Sequence, residues 1–449
     1  MTPWQIADVI QCERVNSWRN TVHEDKCKFQ RPITCSTLGA KPSVFGRHMA
    51  DTPKPHTDDT NLNRRSGGSA SAPLASANGS LPVPHSDPAT PPSPAGGWSE
   101  TVEICSKATV VPPLGGAMLQ PTGILRSDGS YVHRGALWRR HRPITTQPAP
   151  PTSPVSRLSG RWLYAGPLWA HFGHFLTESV SRLWAVETAG PIDGVIFTPK
   201  RAATGSAVEA YHHAFFESLG LVDVQICVLT EPTQIQELVV PGQGFGLGPM
   251  SSGTSIFRRF IRNQFANAVR ARGPEKLYIS RSQIGPRRGG FLDEARLEAY
   301  LSTAGYEVFH PQKHDLHSQI ARYKAAKSIV AAEGSALHLV AMLARPTQKV
   351  AIVMRRDGTT HDPISRHLYA FSGSMPVRIN AIRRRWMPAK GGRAHQGVAE
   401  LDLALAERQL AAEGFVEGGA GWQSLSLSAA QDIVQAQRYW RIHGYCPEV

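Results

Sequence analysis

Residues 276–354 read "KLYISRSQIGPRRGGFLDEARLEAYLSTAGYEVFHPQKHDLHSQIARYKAAKSIVAAEGSALHLVAMLARPTQKVAIVM". Short apolar runs alternate here with helical periods. "KLYISR" reads as a strand, "DEARLEAYLSTAG" as a helix with Leu297, Tyr300 and Leu301 on one side, and "YEVF" as a strand. Gly305 sits where a left-handed residue ends a helix. "DLHSQIARYKAAK" is a helix that Asp315 can cap. "SIVAA", "GSALHLVAMLA" and "KVAIVM" then give strand, helix and strand, with Pro346 as a stop after the helix. Strands that alternate with helices imply a parallel sheet.

The same alternation runs upstream. "RWLYAG" (161–166), the helix that opens at "HFGHFLTESVSRLWAVE" (171–187), "GVIFTP" (194–199), "AVEAYHHAFFESLG" (207–220) and "VQICVL" (224–229) make a second β/α half. Before it, "TVEICSKATVVPP" alternates as a strand and "GILRSDGSYVHRGALW" reads as a hairpin around Asp128-Gly129. The expected class is α/β, with two β/α halves at 98–244 and 245–385. A ligand site belongs at the carboxyl ends of the strands, in a cleft between the halves. Between them lies "ELVVPGQGFGLGPMSSG" (237–253). Its glycines are spaced G-x-G-x-G-x-G rather than G-x-G-x-x-G, and no acidic residue follows at the usual distance. The stretch therefore reads as a loop or linker, not a dinucleotide site. Residues 1–97, dominated over much of their length by Pro, Ser, Gly and Ala, read as a disordered segment. Residues 386–449 read as a helical extension.

The chain has 449 residues, a formal net charge of +14 and six cysteines with no C-x-x-C pair. So few cysteines suit a reducing compartment. No apolar run reaches the ~18 residues of a transmembrane helix. Nucleic acid, an anionic membrane face and phosphate-bearing substrates could each answer the positive charge. Zinc-finger spacing, an aromatic RNA-binding signature and a lysine-rich tail are all missing, which argues against nucleic acid. Arginine, the preferred basic residue, suits phosphate.

Two constellations carry chemistry. The first is on the opening helix, where His171, His174, Glu178 and Arg182 stand three or four residues apart among Phe172, Phe175, Leu176 and Leu183. A zinc reading of His171, His174 and Glu178 lacks the H-E-x-x-H order and any cysteine support. A general-base reading fits better: a carboxylate one turn from a histidine can take a proton from a sugar hydroxyl, and Arg182 could hold it ionised. The second constellation follows the strands. Gly334, Ser335 and Ala336 open a helix, where backbone N–H groups favour an anion. Arg281, Arg287 and Arg288 follow "LYIS" and could hold a diphosphate. Glu333 opposes that anion logic unless it faces something else, such as ribose or sugar hydroxyls.

These residues resemble glycosyltransferase family 61. "HFGHFLTESVSRLW" is similar to that family's H-x-x-x-(D/E) helix, and 278–343 resembles its second block, with an arginine after a strand, an Arg/Asn-Glu stretch, Gln-Ile in a helix and a Gly-(Ala/Ser)-Ala turn. The resemblance covers about 100–385. It implies that His174 and Glu178 are catalytic, with Glu178 the base. It implies that Arg281, Arg288, Glu294, Gln319, Gly334, Ser335 and Ala336 bind the donor. Glu333 stands where the family often has His, and Asp293 where it often has Asn. We count Glu333 with the donor residues. The resemblance implies a GT-B architecture and inverting transfer from a nucleotide-sugar donor to a glycan or lipid-linked glycan acceptor. That work belongs to surface or capsular polysaccharide synthesis on the cytoplasmic side, at or near the inner face of the plasma membrane, with no cofactor and no metal. In such enzymes the last helix crosses back onto the first half, and "AAQDIVQAQRYWRIHG" (429–444) is expected to do so. A polysaccharide pyruvyl transferase-like enzyme and a non-catalytic nucleotide-sugar-binding protein are the alternatives.

Overall fold

The computed structural model describes residues 12–13, 97–247, 252–285, 288–356, 362–388, 396–436 and 445–447. The expected disordered segment, 1–97, lies outside them except at Cys12–Glu13 and Gly97.

The larger sheet has seven strands in the order β1 (Cys12–Glu13), β10 (Gln225–Val228), β9 (Gly194–Pro199), β8 (Ser156–Leu168), β11 (Thr233–Pro241), β2 (Val102–Val111) and β4 (Gly123–Leu125). β10, β9, β8 and β11 are parallel, and β1, β2 and β4 are antiparallel to their neighbours. Two small ladders sit beside it, β3 (Gln120–Pro121) with β7 (Thr145–Thr146), and β5 (Trp138–Arg139) with β6 (Arg142–Pro143). The second sheet is wholly parallel, in the order β14 (Glu307–Phe309), β12 (Lys276–Ile279), β15 (Ser328–Ala332), β16 (Lys349–Val353) and β17 (Val377–Ile379). A third sheet joins β13 (Gly290–Phe291), β19 (Val398–Leu401), β18 (Ile382–Pro388) and β20 (Tyr445–Pro447).

The helices are α1 (Phe172–His174), α2 (Ala210–Ser218), α3 (Ser255–Gln264), α4 (Glu294–Thr303), α5 (Leu316–Ala325), α6 (Ala336–Leu343), α7 (Asp362–Ser372), α8 (Leu403–Ala412) and α9 (Leu427–Ala436). Their ends follow local chemistry. The Asp315 carboxylate accepts from Ser318 N and caps α5, and Gly305 takes φ +86° just past α4.

The strands of the second sheet are apolar on both faces because helices cover both, α5 and α6 on one and α4 and α8 on the other. Leu163, Val195 and Phe197 of the first sheet share one continuous core with Leu277, Ile329 and Ile352 of the second. Phe216, Phe257, Ile320 and Leu337 on α2, α3, α5 and α6 fill the space between. The two halves are thus fused through a common helical layer.

Four expectations change. The stretch at 237–253 is not simply a linker, because its first residues belong to β11, which pairs with β8 and β2 in mid-sheet. Its glycines serve packing: Gly242 lies against the Trp98 carbonyl and Gly244 against the Trp184 ring, where a side chain would collide. The segment after residue 386 is not purely helical, since β19 and β20 lie in it. Within it, α9 packs Ala430 and Val434 on Leu292 and on Trp386 and Val398 of the third sheet, a cluster that holds no residue of the first half among the described residues. Tyr439 and Trp440 lie outside the described residues. The cysteines are not all reduced: Cys227 is disulfide-bonded, while Cys105 is a buried free thiol.

Candidate active site

The opening helix is irregular. α1 gives way to a π turn over Phe175–Ser179, where Val180 N donates to Phe175 O at 3.2 Å, and then to a 3₁₀ turn over Leu183–Glu187. Such π turns are enriched at functional sites. The turn is pinned from outside: Ser179 Oγ donates to Pro167 O at 2.9 Å and accepts from Trp169 N at 3.0 Å. Phe175 and Leu176 are buried, so the opposite side of the turn carries His174 and Glu178.

Glu178 is 4% exposed. Its Oε1 accepts from Arg139 Nε at 2.8 Å and its Oε2 from Arg139 Nη2 at 3.0 Å. His174 Nδ1 lies 2.9 Å from the same Oε1. Arg139 Nη2 is also 3.3 Å from His174 Nδ1, but a guanidinium has only donors and an ionised carboxylate only acceptors. The proton on Nδ1 therefore points to Glu178, and Nε2 carries the ring's lone pair. Burial alone would raise the Glu178 pKa. The hydrogen bonds and charges of His174 and Arg139 outweigh it and hold the carboxyl below the usual range. Trp169 floors the group, with the Arg139 guanidinium over its face at 5.2 Å and the His174 ring 4.6 Å away. Lys200, at the end of β9, stands 5.3 Å over the same indole, and burial, with Arg139 adding to it, pushes its pKa down to about 8.

Arg182 is not a partner of Glu178. It is fully buried and donates to the carbonyls of Pro241, Ala136 and Arg134 at 3.1, 2.7 and 3.2 Å. Arg139, from the β5–β6 hairpin, takes the place expected for it.

The second constellation assembles at the carboxyl ends of β12, β15 and β16. Arg281 lies over the turn at Gly334: a Cβ there would stand 2.6 Å from Arg281 Nη1. Arg281 Nη2 donates to Arg288 O at 3.0 Å, and its Nε is buried without a partner among the described residues. Burial lowers the Arg281 pKa. Arg288 itself is exposed. Arg287 lies outside the described residues. Glu333 is fully buried. Arg356 holds its carboxylate through Nε at 2.8 Å and through Nη2, and Arg355 N donates to Oε2 at 3.2 Å. Arg355 Nε in turn donates to the Glu333 carbonyl at 2.9 Å, and burial pushes the Arg355 pKa down to about 9. Glu333 thus organises two further arginines, and the objection it raised to an anion site falls away.

Glu294 and Gln319 shape the surroundings. Glu294 accepts from Arg281 N at 2.7 Å, Tyr278 Oη at 2.8 Å and Ser280 Oγ at 3.0 Å, which fixes the backbone from which Arg281 projects. Gln319 Nε2 donates to Pro311 O and His314 O, both at 3.0 Å, and pins that loop. Ser335 and Ala336 open α6, where the Ser335 side chain makes no cap.

The two constellations meet. A Cβ on Gly173 would stand 2.8 Å from Ser335 Cβ, so the opening helix lies directly on the Gly334–Ala336 turn. Arg288 is close enough to His171 to help lower that ring's pKa, which burial chiefly brings to about 4. Among the described residues no group of three or more His, Cys, Asp or Glu side chains is placed to hold a metal ion.

Sequence reasoning missed Arg355, Arg356, Lys200 and Arg139. The first three stand just past the ends of β16 and β9, so the argument that found Arg281 could have found them. Arg139 gives no local signal, since its partner is 39 residues away.

A search of curated proteins finds no match to the chain. Residues 172–350 match the family model described as Glycosyltransferase 61. That span holds His174 and Glu178 at one end and the Arg281–Gly334 turn at the other, and over it the chain is similar to glycosyltransferase family 61.

Proposed function

We propose that this protein transfers a sugar, with inversion, from a nucleotide-sugar donor to a glycan acceptor, in the manner of a GT-B enzyme of surface polysaccharide synthesis. The observation that carries the reading is the approach of Gly173 to Ser335, which sets the His174–Glu178 pair beside the turn that Arg281 covers.

The geometry favours His174, not Glu178, as the base. A carboxylate gripped by a guanidinium fork and an imidazole is a poor proton acceptor. An imidazole whose Nδ1–H is fixed on a carboxylate presents Nε2 in the right tautomer. The acceptor oxygen bonds to the anomeric carbon and gives its proton to His174 Nε2. The bond from that carbon to the diphosphate oxygen breaks, and the diphosphate leaves with the electron pair. Arg281, Arg288, Arg355 and Arg356, with the N–H groups that open α6, would stabilise the departing charge. The buried Nε of Arg281, without a partner among the described residues, is a donor that could serve it. Glu178 orients the base, and Arg139 holds Glu178.

The test is release of nucleoside diphosphate, with a donor chosen from a nucleotide-sugar panel by thermal shift. His174→Ala should lower the melting temperature modestly, since it removes one partner of the buried Glu178, keep donor affinity and lose roughly 10²–10⁴-fold in turnover. A folded His174→Ala protein with near-native turnover refutes the base assignment. A protein that binds no nucleotide sugar refutes the whole reading.

A further inference from the structure

The loop that leaves β2 passes through Pro112 and Pro113, both buried, and then exposes every residue from 114 to 119. Leu114 is 92% exposed, Met118 54% and Leu119 51%. Single exposed apolar residues are ordinary, but three on one six-residue loop form a patch. The loop is also held in place. Lys200 Nζ donates to Met118 O at 2.7 Å and Ala117 O at 3.3 Å, Ala202 N donates to Gly115 O at 2.9 Å, and Gln120 N donates to Ile144 O at 3.2 Å. The apolar side chains are therefore presented by a fixed backbone.

Basic residues surround this tip. Arg139 Nη1 lies 3.6 Å from Met118 Sδ, and Arg140 and Arg142 stand exposed at the turn of the same β5–β6 hairpin. Arg201 is exposed on the other side, where its Cδ lies against Gly116. An apolar tip inside a cationic collar matches a surface with negative charge outside and hydrocarbon beneath. Nucleic acid or an acidic protein would use the collar and leave the leucines wet.

We propose that this loop docks on a bilayer carrying anionic lipid headgroups. Leu114, Met118 and Leu119 enter the boundary between headgroups and acyl chains, and Arg140, Arg142 and Arg201 meet the phosphates. Lys200 and Arg139 hold the loop from one side and flank Glu178 on the other, so the docked face is the one nearest the His174–Glu178 pair.

The experiment is co-sedimentation of the full chain with vesicles of phosphatidylcholine alone and of phosphatidylcholine with phosphatidylglycerol. The chain should sediment with the anionic vesicles only, and less as salt rises. Changing Leu114, Met118 and Leu119 together to Asp should weaken partition by at least about tenfold at every salt concentration. Arg140→Glu with Arg142→Glu should do the same, each basic residue being worth about fivefold at the surface. These positions are exposed, and the single Leu114→Asp exchange, at the most exposed residue, serves if the triple variant misfolds. Absence of sedimentation overturns the proposal. So does binding that the Asp variants leave unchanged, which would move the contact elsewhere in the chain. A collar variant that loses RNA binding while keeping vesicle binding overturns it in favour of nucleic acid.

Discussion

Arg139 grips Glu178 with two parallel hydrogen bonds, 2.8 and 3.0 Å long, across 39 residues of sequence. This fork fixes the carboxylate that fixes His174, and a planar guanidinium is the group that can make it. Arg139→Ala should leave a buried carboxylate with one partner. The expected cost is about 2 kcal/mol in urea unfolding, held below the full price of a broken buried pair because Arg139 is partly exposed and water can enter. Arg139→Lys should recover only part of it. Unchanged stability in Arg139→Ala would mean that the fork does not hold Glu178 in solution.

Gly334 lies under Arg281, and a methyl group there would stand 2.6 Å from Nη1. The atom to be displaced is the far end of a flexible side chain. Gly334→Ala should therefore cost little stability and move the guanidinium off the turn. If Arg281 holds the donor diphosphate, affinity for nucleoside diphosphate should fall roughly ten- to a hundredfold, the worth of one charge-assisted contact, with nucleoside affinity little changed. Titration calorimetry with both ligands reads the difference, and equal losses for the two would remove Arg281 from the phosphate site.

The sequence was most legible from β12 to β16. Those strands are continuous apolar runs, and Asp315 and Gly305 punctuate the helices between them. β11 escaped notice because its apolar residues run straight into four closely spaced glycines. The opening helix shows a different limit. Its polar stripe was visible, and His174 and Glu178 do meet. The step from Glu178 to Arg182 assumed an α-helical period, but the chain there passes through a π turn into a 3₁₀ turn. The change of winding turns Arg182 away from Glu178, into the carbonyls of Arg134, Ala136 and Pro241. Partners brought from distant strands, such as Arg139, leave no periodic trace at all.

His212 gives the fold a dependence on pH. The ring is 1% exposed. Its Nδ1 accepts from Glu209 N at 3.0 Å and its Nε2 lies 3.1 Å from Trp169 O, so the neutral ring donates at Nε2 and accepts at Nδ1. A second proton would have to replace the Glu209 bond inside the protein. Burial is the main reason that the pKa falls from 6.5 to about 4. The unfolded chain takes up that proton as pH drops below 6.5, and the folded chain does so only near 4. Stability is therefore complete above about pH 6.5 and is lost on acidification toward 4, by about 1.4 kcal/mol per pH unit for this ring. His171 and His338, also lowered to about 4, add to the slope. Glu178, held below the usual carboxylate range, stays ionised through most of this window. His212→Gln offers an acceptor and a donor without a titrating group. Its unfolding free energy should fall by about 2 kcal/mol less than that of the native protein between pH 6.5 and 5. Identical pH dependence in the two proteins would show that His212 is not held neutral by the fold.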